Sequence, residues 1–225
     1  MNFVMEGRTS DSPYVQAIWH GGAYGYYAPV CPADTCWDLL LLRYNGQITI
    51  SVEGPLTRAK PKTHPEGTEW RVIKFRLGTF MPYLPVTHLL DRDVILPEGS
   101  HKSFWLNGST WQFPDVDDVE TFVARLVRED ILVRDPLVNA VLQNQPQDVS
   151  PRTIRRRFLQ ATGLTHKGIQ QIERAQQAMT LLMQGTSILD TVYQVGYADQ
   201  PHMTRALKHF VGQTPAQIAR VMEFA

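Results

Sequence analysis

Residues Ser187–Phe210 read SILDTVYQVGYADQPHMTRALKHF, a run with two helix starts and one sharp stop. Ser187 and Asp190 have the spacing of a capping box, in which a hydroxyl and an acid three residues on satisfy free backbone N–H groups. The helix they open runs to Val195, where Gly196 can turn the chain. Asp199 then caps a second helix beginning at Gln200. Helix, short Gly turn, helix is the outline of a helix-turn-helix, although any helical hairpin produces it.

Working outward, Ser150–Phe158 reads SPRTIRRRF, with four arginines within six positions. Ser150 is an N-cap and Pro151 fits the first helical position. Ile154 and Phe158, four apart, share a core face, and Gly163 ends the helix. A longer helix, Lys167 to Gln184, carries Ile169, Ile172, Ala175, Met179 and Leu182 on one stripe, with Gly185 behind it. Upstream, Asp115–Asp130 begins with acids and lines up Val119, Phe122, Val123 and Leu126. DPLVNAVLQN, from Asp135, is a short helix stopped by Pro146.

Sliding the chain by 49 residues brings two units into register. GLTHKGI from Gly163 falls on GQTPAQI from Gly212, Ser150 on Asp199, Ile154 on Met203, Arg156 on Arg205 and Phe158 on Leu207. The spacer helix would be about 27 Å long, on the scale of the major-groove repeat of about 34 Å.

With the apolar positions turned inward, Arg152, Arg155 and Arg156 face out from the first unit. Gln200, His202, Arg205 and Lys208 do so in the second. Arg can hold guanine or a phosphate with its fork, Gln suits adenine and Lys suits a phosphate. Arg157 lies partly toward the core, where pairing with an acid and contacting DNA are equally open. The charge is split to match: Met1–Asp130 carries −4 and Ile131–Ala225 carries +4, within a net charge of zero.

VSPRTIRRRFLQATGLT followed by SILDTVYQVGYADQPHMTRALKHFVGQTPAQI resembles the DNA-binding domain of the AraC/XylS family of bacterial transcription regulators. The resemblance covers about Val149 to Val221 and is most specific in the second unit. It implies a fold of two helix-turn-helix motifs joined by a long helix. It also implies base-facing roles for Arg152, Arg155, Arg156, Gln200, His202, Thr204, Arg205 and Lys208. One departure stands out: only DPLVNAVLQNQPQD lies between Arg134 and Val149. Either Leu137–Asn144 serves as the first helix of the first motif, with Asp117–Glu129 as support, or the first unit is degenerate.

The N-terminal part is rich in Pro, Gly, aromatics and short apolar runs. In DLLLLRYNGQITISVEGP two strands flank Asn45-Gly46, a pair suited to a type I′ hairpin turn. EWRVIKFRLG and DRDVILPEG are further strands. By resemblance this half is a cupin-like β-barrel that binds an effector or dimerises, the expected architecture being α+β in two domains. The expected boundaries are 1–114 for the β-rich sensor, 115–134 for a helical linker and 135–225 for the DNA-binding domain. Among the aromatics, Trp19, Tyr26, Trp37, Tyr83 and Trp105 are candidate pocket residues, against the simpler role of packing the core.

Catalysis finds no support here. His20, His64, His88 and His101 stand alone, and Cys31 and Cys36 lack the partners of a zinc site. No nucleophile elbow or phosphate-cradling Gly loop occurs, so neither metal nor cofactor is expected. No apolar stretch approaches the roughly 20 residues of a membrane span, and no secretory signal leads the chain; it reads as cytoplasmic. The partners implied are double-stranded promoter DNA, with RNA polymerase and a small-molecule effector beside it, in a monomer or homodimer. The alternatives are a small-molecule-binding or catalytic barrel with a helical interaction tail, and a protein–protein adaptor.

Overall fold

Alternating and fully apolar runs in the first half pair into antiparallel strands. The computed structural model describes residues 3–25, 28–100 and 103–220. In chain order these form β1 (Phe3–Thr9), β2 (Val15–Ala23), β3 (Val30–Cys31), β4 (Asp38–Tyr44), β5 (Gln47–Glu53), β6 (Lys60–Pro61), β7 (Glu69–Phe75) and β8 (Thr79–Phe80). A short helix α1 (Val86–Leu89) precedes β9 (Asp93–Ile95), the hairpin β10 (Ser103–Leu106) and β11 (Ser109–Gln112), α2 (Val119–Arg128) and β12 (Val133–Arg134). The remaining elements are helical: α3 (Pro136–Leu142), α4 (Pro151–Thr162), α5 (His166–Met183), α6 (Ile188–Val195), α7 (Gln200–Phe210) and α8 (Pro215–Arg220).

The main sheet has six antiparallel strands in the order β1-β2-β7-β4-β5-β9. Asn45 (φ 50°) and Gly46 (φ 77°) join β4 to β5 as a two-residue hairpin, as the Asn-Gly pair predicts. Ile18, Ile73, Leu39 and Val52 stand in register across four strands and are all buried. Against that face lie α2 and the β10–β11 hairpin. Trp111 meets Phe122 edge-on at 5.9 Å, and the Arg125 guanidinium covers the Trp111 ring at 4.4 Å. A smaller cluster of Ala23, Leu40 and Trp70 fills the opposite face.

The two-part α+β organisation is as expected, but the sheet does not close into a barrel. Among the described residues β1 and β9 each have one neighbour in the sheet. Closure requires consistent tilt and stagger around every strand, and the three-residue β9, followed by Leu96 and Pro97, is too short to carry it. Residues 115–134, expected as a linker, pack into the first core instead, with Val119, Phe122, Val123, Leu126, Ile131 and Leu132 buried.

Two compact units emerge. One contains the main sheet and runs on through α3 and α4 to Thr165. The other contains α5–α8 together with Pro29–Thr35 and Leu56–Lys62, the segments that form β3 and β6. Its core is Ala175, Ala178, Leu182, Val192, Tyr197, Met203, Leu207, Val211 and Ile218. No helix among the described residues is long and apolar enough to cross a membrane.

Candidate nucleic-acid interface

The second unit presents a helix whose two faces are sharply divided. Asp199 Oδ1 accepts the His202 N–H at 2.6 Å and so starts α7. Met203, Leu207 and Val211 then turn into the core. On the outside stand Gln200, His202, Arg205 and Lys208, all exposed, with Thr204 half-buried at the border. The preceding α6 opens on the expected Ser187–Asp190 pair, with the acid bonded to the hydroxyl rather than to a backbone N–H. The Ser187 hydroxyl meets Asp190 Oδ2 at 2.6 Å and accepts the Asp190 N–H at 3.1 Å. Gly196 (φ 76°) makes the turn between the helices. Tyr197 fills the inner corner: its ring sits edge-on to His202 at 5.1 Å and under the Arg174 guanidinium at 5.7 Å. Burial raises the Tyr197 phenol, keeping it a neutral wedge under the start of α7.

The first unit repeats this plan on α4. The Ser150 hydroxyl accepts the Thr153 N–H at 3.2 Å, and Phe158 and Ala161 are buried. Gly163 closes the helix at φ 71°, matching Gly212 at φ 80° in the other unit. Arg152, Arg155 and Arg156 are exposed. Arg157 is not part of that set. Its Nε and Nη2 hold Asp135 Oδ2 and Oδ1 at 2.9 and 2.6 Å. Asp135 in turn caps α3 by accepting the Leu137 N–H at 3.0 Å. The short α3 packs on α4. Arg152, Arg155, Arg156, Arg205 and Lys208 have no side-chain partner among the described residues. Desolvated pairs lock a cation in place, whereas free ones remain available to an external anion.

Residues 147–220 match the family model described as a helix-turn-helix domain. In this the segment is similar to AraC-type helix-turn-helix domains. Such a domain is a DNA-binding module of transcription regulators. No curated protein matches the chain, and no solved structure does. Within the matched segment Arg152, Arg155 and Arg156 are exposed on α4 and Arg205 and Lys208 on α7, while Lys167 on α5 and Arg220 on α8 are exposed as well.

Among the described residues the candidate pocket aromatics are not gathered into one site. Trp37 is a core residue, stacked on Phe75 at 4.0 Å with its Nε1–H donated to the Thr79 carbonyl at 2.6 Å. Trp19 is half-buried over Gly7, where a Cβ would strike its ring. Tyr83 donates to Met81 Sδ at 3.0 Å and is exposed, as is Trp105 on β10. Tyr26 and His101 lie outside the described residues.

The sheet carries an open cavity of about 570 Å³ with a mixed charged and apolar lining. Its wall holds Glu6, His20, Arg43, Glu69 and Arg71, with Leu41 among the apolar lining residues. Arg43 pairs with Glu69 at 3.2 Å, Arg71 with Asp115 at 2.6 Å, and His20 Nε2 lies 3.8 Å from Glu6. Strand parity could have found these residues. Phe75 and Ile73 point into the core, so Arg71 and Glu69, two and four positions before Ile73, point from the same face. Leu39 and Leu41 give way to Arg43 in the same manner, and Ile18 gives way to His20.

Proposed function

We propose that this protein is a sequence-specific regulator of transcription whose α7 reads bases in the major groove and whose α4 grips the adjoining duplex. The observation that carries this proposal is the doubled unit with Arg156 and Arg205 at equivalent positions, both exposed and both without a partner among the described residues. Structural arginines at such positions find an acid, as Arg157 does. Arg152 and Arg155 would add phosphate contacts, while Gln200, His202, Thr204 and Lys208 surround Arg205 at the readout end. In this reading α5, about 27 Å long at 1.5 Å per residue, is the spacer between the motifs.

The N-terminal unit is the controlling part. Its open cavity supports binding of a small hydrogen-bonding effector better than the scattered aromatics do. Within it, a carboxylate or hydroxyl group would compete with Glu69 for Arg43 and with Asp115 for Arg71.

Duplexes selected from a random pool test the reading by mobility shift. Arg205→Ala is expected to lose about 1–3 kcal/mol on the selected sequence, and Arg156→Ala to weaken selected and unselected duplexes alike. Wild-type affinity in both variants would remove these assignments.

A further inference from the structure

The unit holding the second helix-turn-helix is not built from C-terminal residues alone. Pro29–Thr35 and Leu56–Lys62 belong to it and pair as a small antiparallel ribbon, with Val30 opposite Pro61, Cys31 opposite Lys60, and a bridge between Asp34 and Leu56. The ribbon ends on the last turn of α7. The Ala33 N–H donates to the Phe210 carbonyl at 2.6 Å, and the Ala59 N–H to the His209 carbonyl at 2.9 Å. The last carbonyls of a helix have no donor within it, so the ribbon completes the C-terminal end of α7. From α5, Gln176 Nε2 donates to the Ala33 carbonyl at 2.8 Å. Gly212 allows the close approach: a Cβ there would stand 2.6 Å from Val30 Cγ1 and 3.2 Å from Ala59 Cβ.

The ribbon is also strongly basic on one strand. Leu56–Lys62, LTRAKPK, holds three of the unit's eight Lys and Arg and none of its Asp or Glu. Arg58 and Lys60 are exposed and have no partner among the described residues. They flank Ala59, whose N–H is bonded to His209. On α7, Lys208 stands one position before His209 and Arg205 four positions before it. Arg58 and Lys60 thus stand on the strand that is tied by its main chain to the last turn of α7, the helix that carries the exposed Arg205 and Lys208.

We propose that this ribbon is a wing on the second helix-turn-helix, with Arg58 and Lys60 holding DNA phosphates beside the groove that α7 enters. The proposal rests on the DNA-binding reading above. Phosphate is the fitting partner, because long cationic side chains on a non-helical strand give charge without a base-reading pattern. The main-chain bonds to α7 hold the ribbon ready, so little ordering is needed when DNA arrives.

The test measures binding of the full chain and of the double variant Arg58→Gln, Lys60→Gln across a salt series. The probes are a selected duplex and an unselected one of equal length. Both duplexes are expected to weaken by the same factor, and the log–log salt slope to become shallower by about 0.9 for each phosphate that the variant no longer neutralises. Unchanged slope and affinity, alongside weakened binding by Arg205→Ala, would overturn the wing and leave the regulator reading intact. If the wild-type chain binds neither duplex, both fall together. Amide exchange adds an independent check. The Ala33 and Ala59 amides are expected to be protected along with α7, and free exchange at both would show that no wing is fixed there.

Discussion

Arg156 and Arg157 are chain neighbours with opposite roles. One is exposed and without a partner among the described residues, while the other is clamped across Asp135 in a two-pronged pair that also anchors the cap of α3. Helical spacing distinguishes an outward from a half-inward position, but only the fold brings Asp135, 22 residues away, to the half-inward one. A second pair of this kind sets a pH dependence. Hydrogen bonds from the Arg8 guanidinium, joined by the Ser10 hydroxyl, hold the Glu120 carboxyl down to about 2. The folded value lies below the ordinary 4.5, so the pair's contribution is complete above that pH and is lost as pH falls toward 2. Glu120→Gln is therefore expected to lower stability by about 1 kcal/mol near neutrality, the upper range for an exposed pair. Near pH 2 most of that loss should be gone. Urea midpoints of both proteins at the two pH values give the comparison.

The helices were legible element by element because their signals are local. Caps at Ser150, Ser187 and Asp199 all form, and the stripe on α5 is buried at Ile169, Ile172, Ala175 and Leu182. Asp199→Ala should cost about 1 kcal/mol, because it leaves the first N–H groups of α7 without an acceptor. Chemical denaturation would show this, and a matching drop in DNA affinity would tie the cap to the interface. Ser150→Ala offers the same comparison on α4. Strands were harder to read. Their existence followed from apolar runs and the Asn45-Gly46 turn. Whether the sheet would close, and where its charged residues would gather, depended on partners far along the chain.

For the whole molecule, composition and compactness divide the chain differently. Composition separates a helical, basic C-terminal part from residue 135 onward. Packing assigns α3 and α4 to the unit of the main sheet, and lends two N-terminal segments to the unit of α5–α8. A fragment of residues 135–225 would lack β8 and α1, both packed on α4, and the ribbon that completes α7. It is expected to melt less cooperatively than the full chain and to bind DNA more weakly at the same salt. Circular dichroism melts and a mobility-shift titration would check this, and equality with the full chain would make composition the true boundary.

The amino-acid sequence by itself determined the repeated helical unit, its caps, its turns and its outward arginines. Each depends on groups within a few residues of one another, where periodicity and capping act directly. Only the tertiary structure decided which arginine would be neutralised, that the sheet stays open with a cavity on its face, and that N-terminal strands finish a C-terminal helix. Those outcomes depend on which distant groups meet, and strand order and long-range burial are not written in any local pattern.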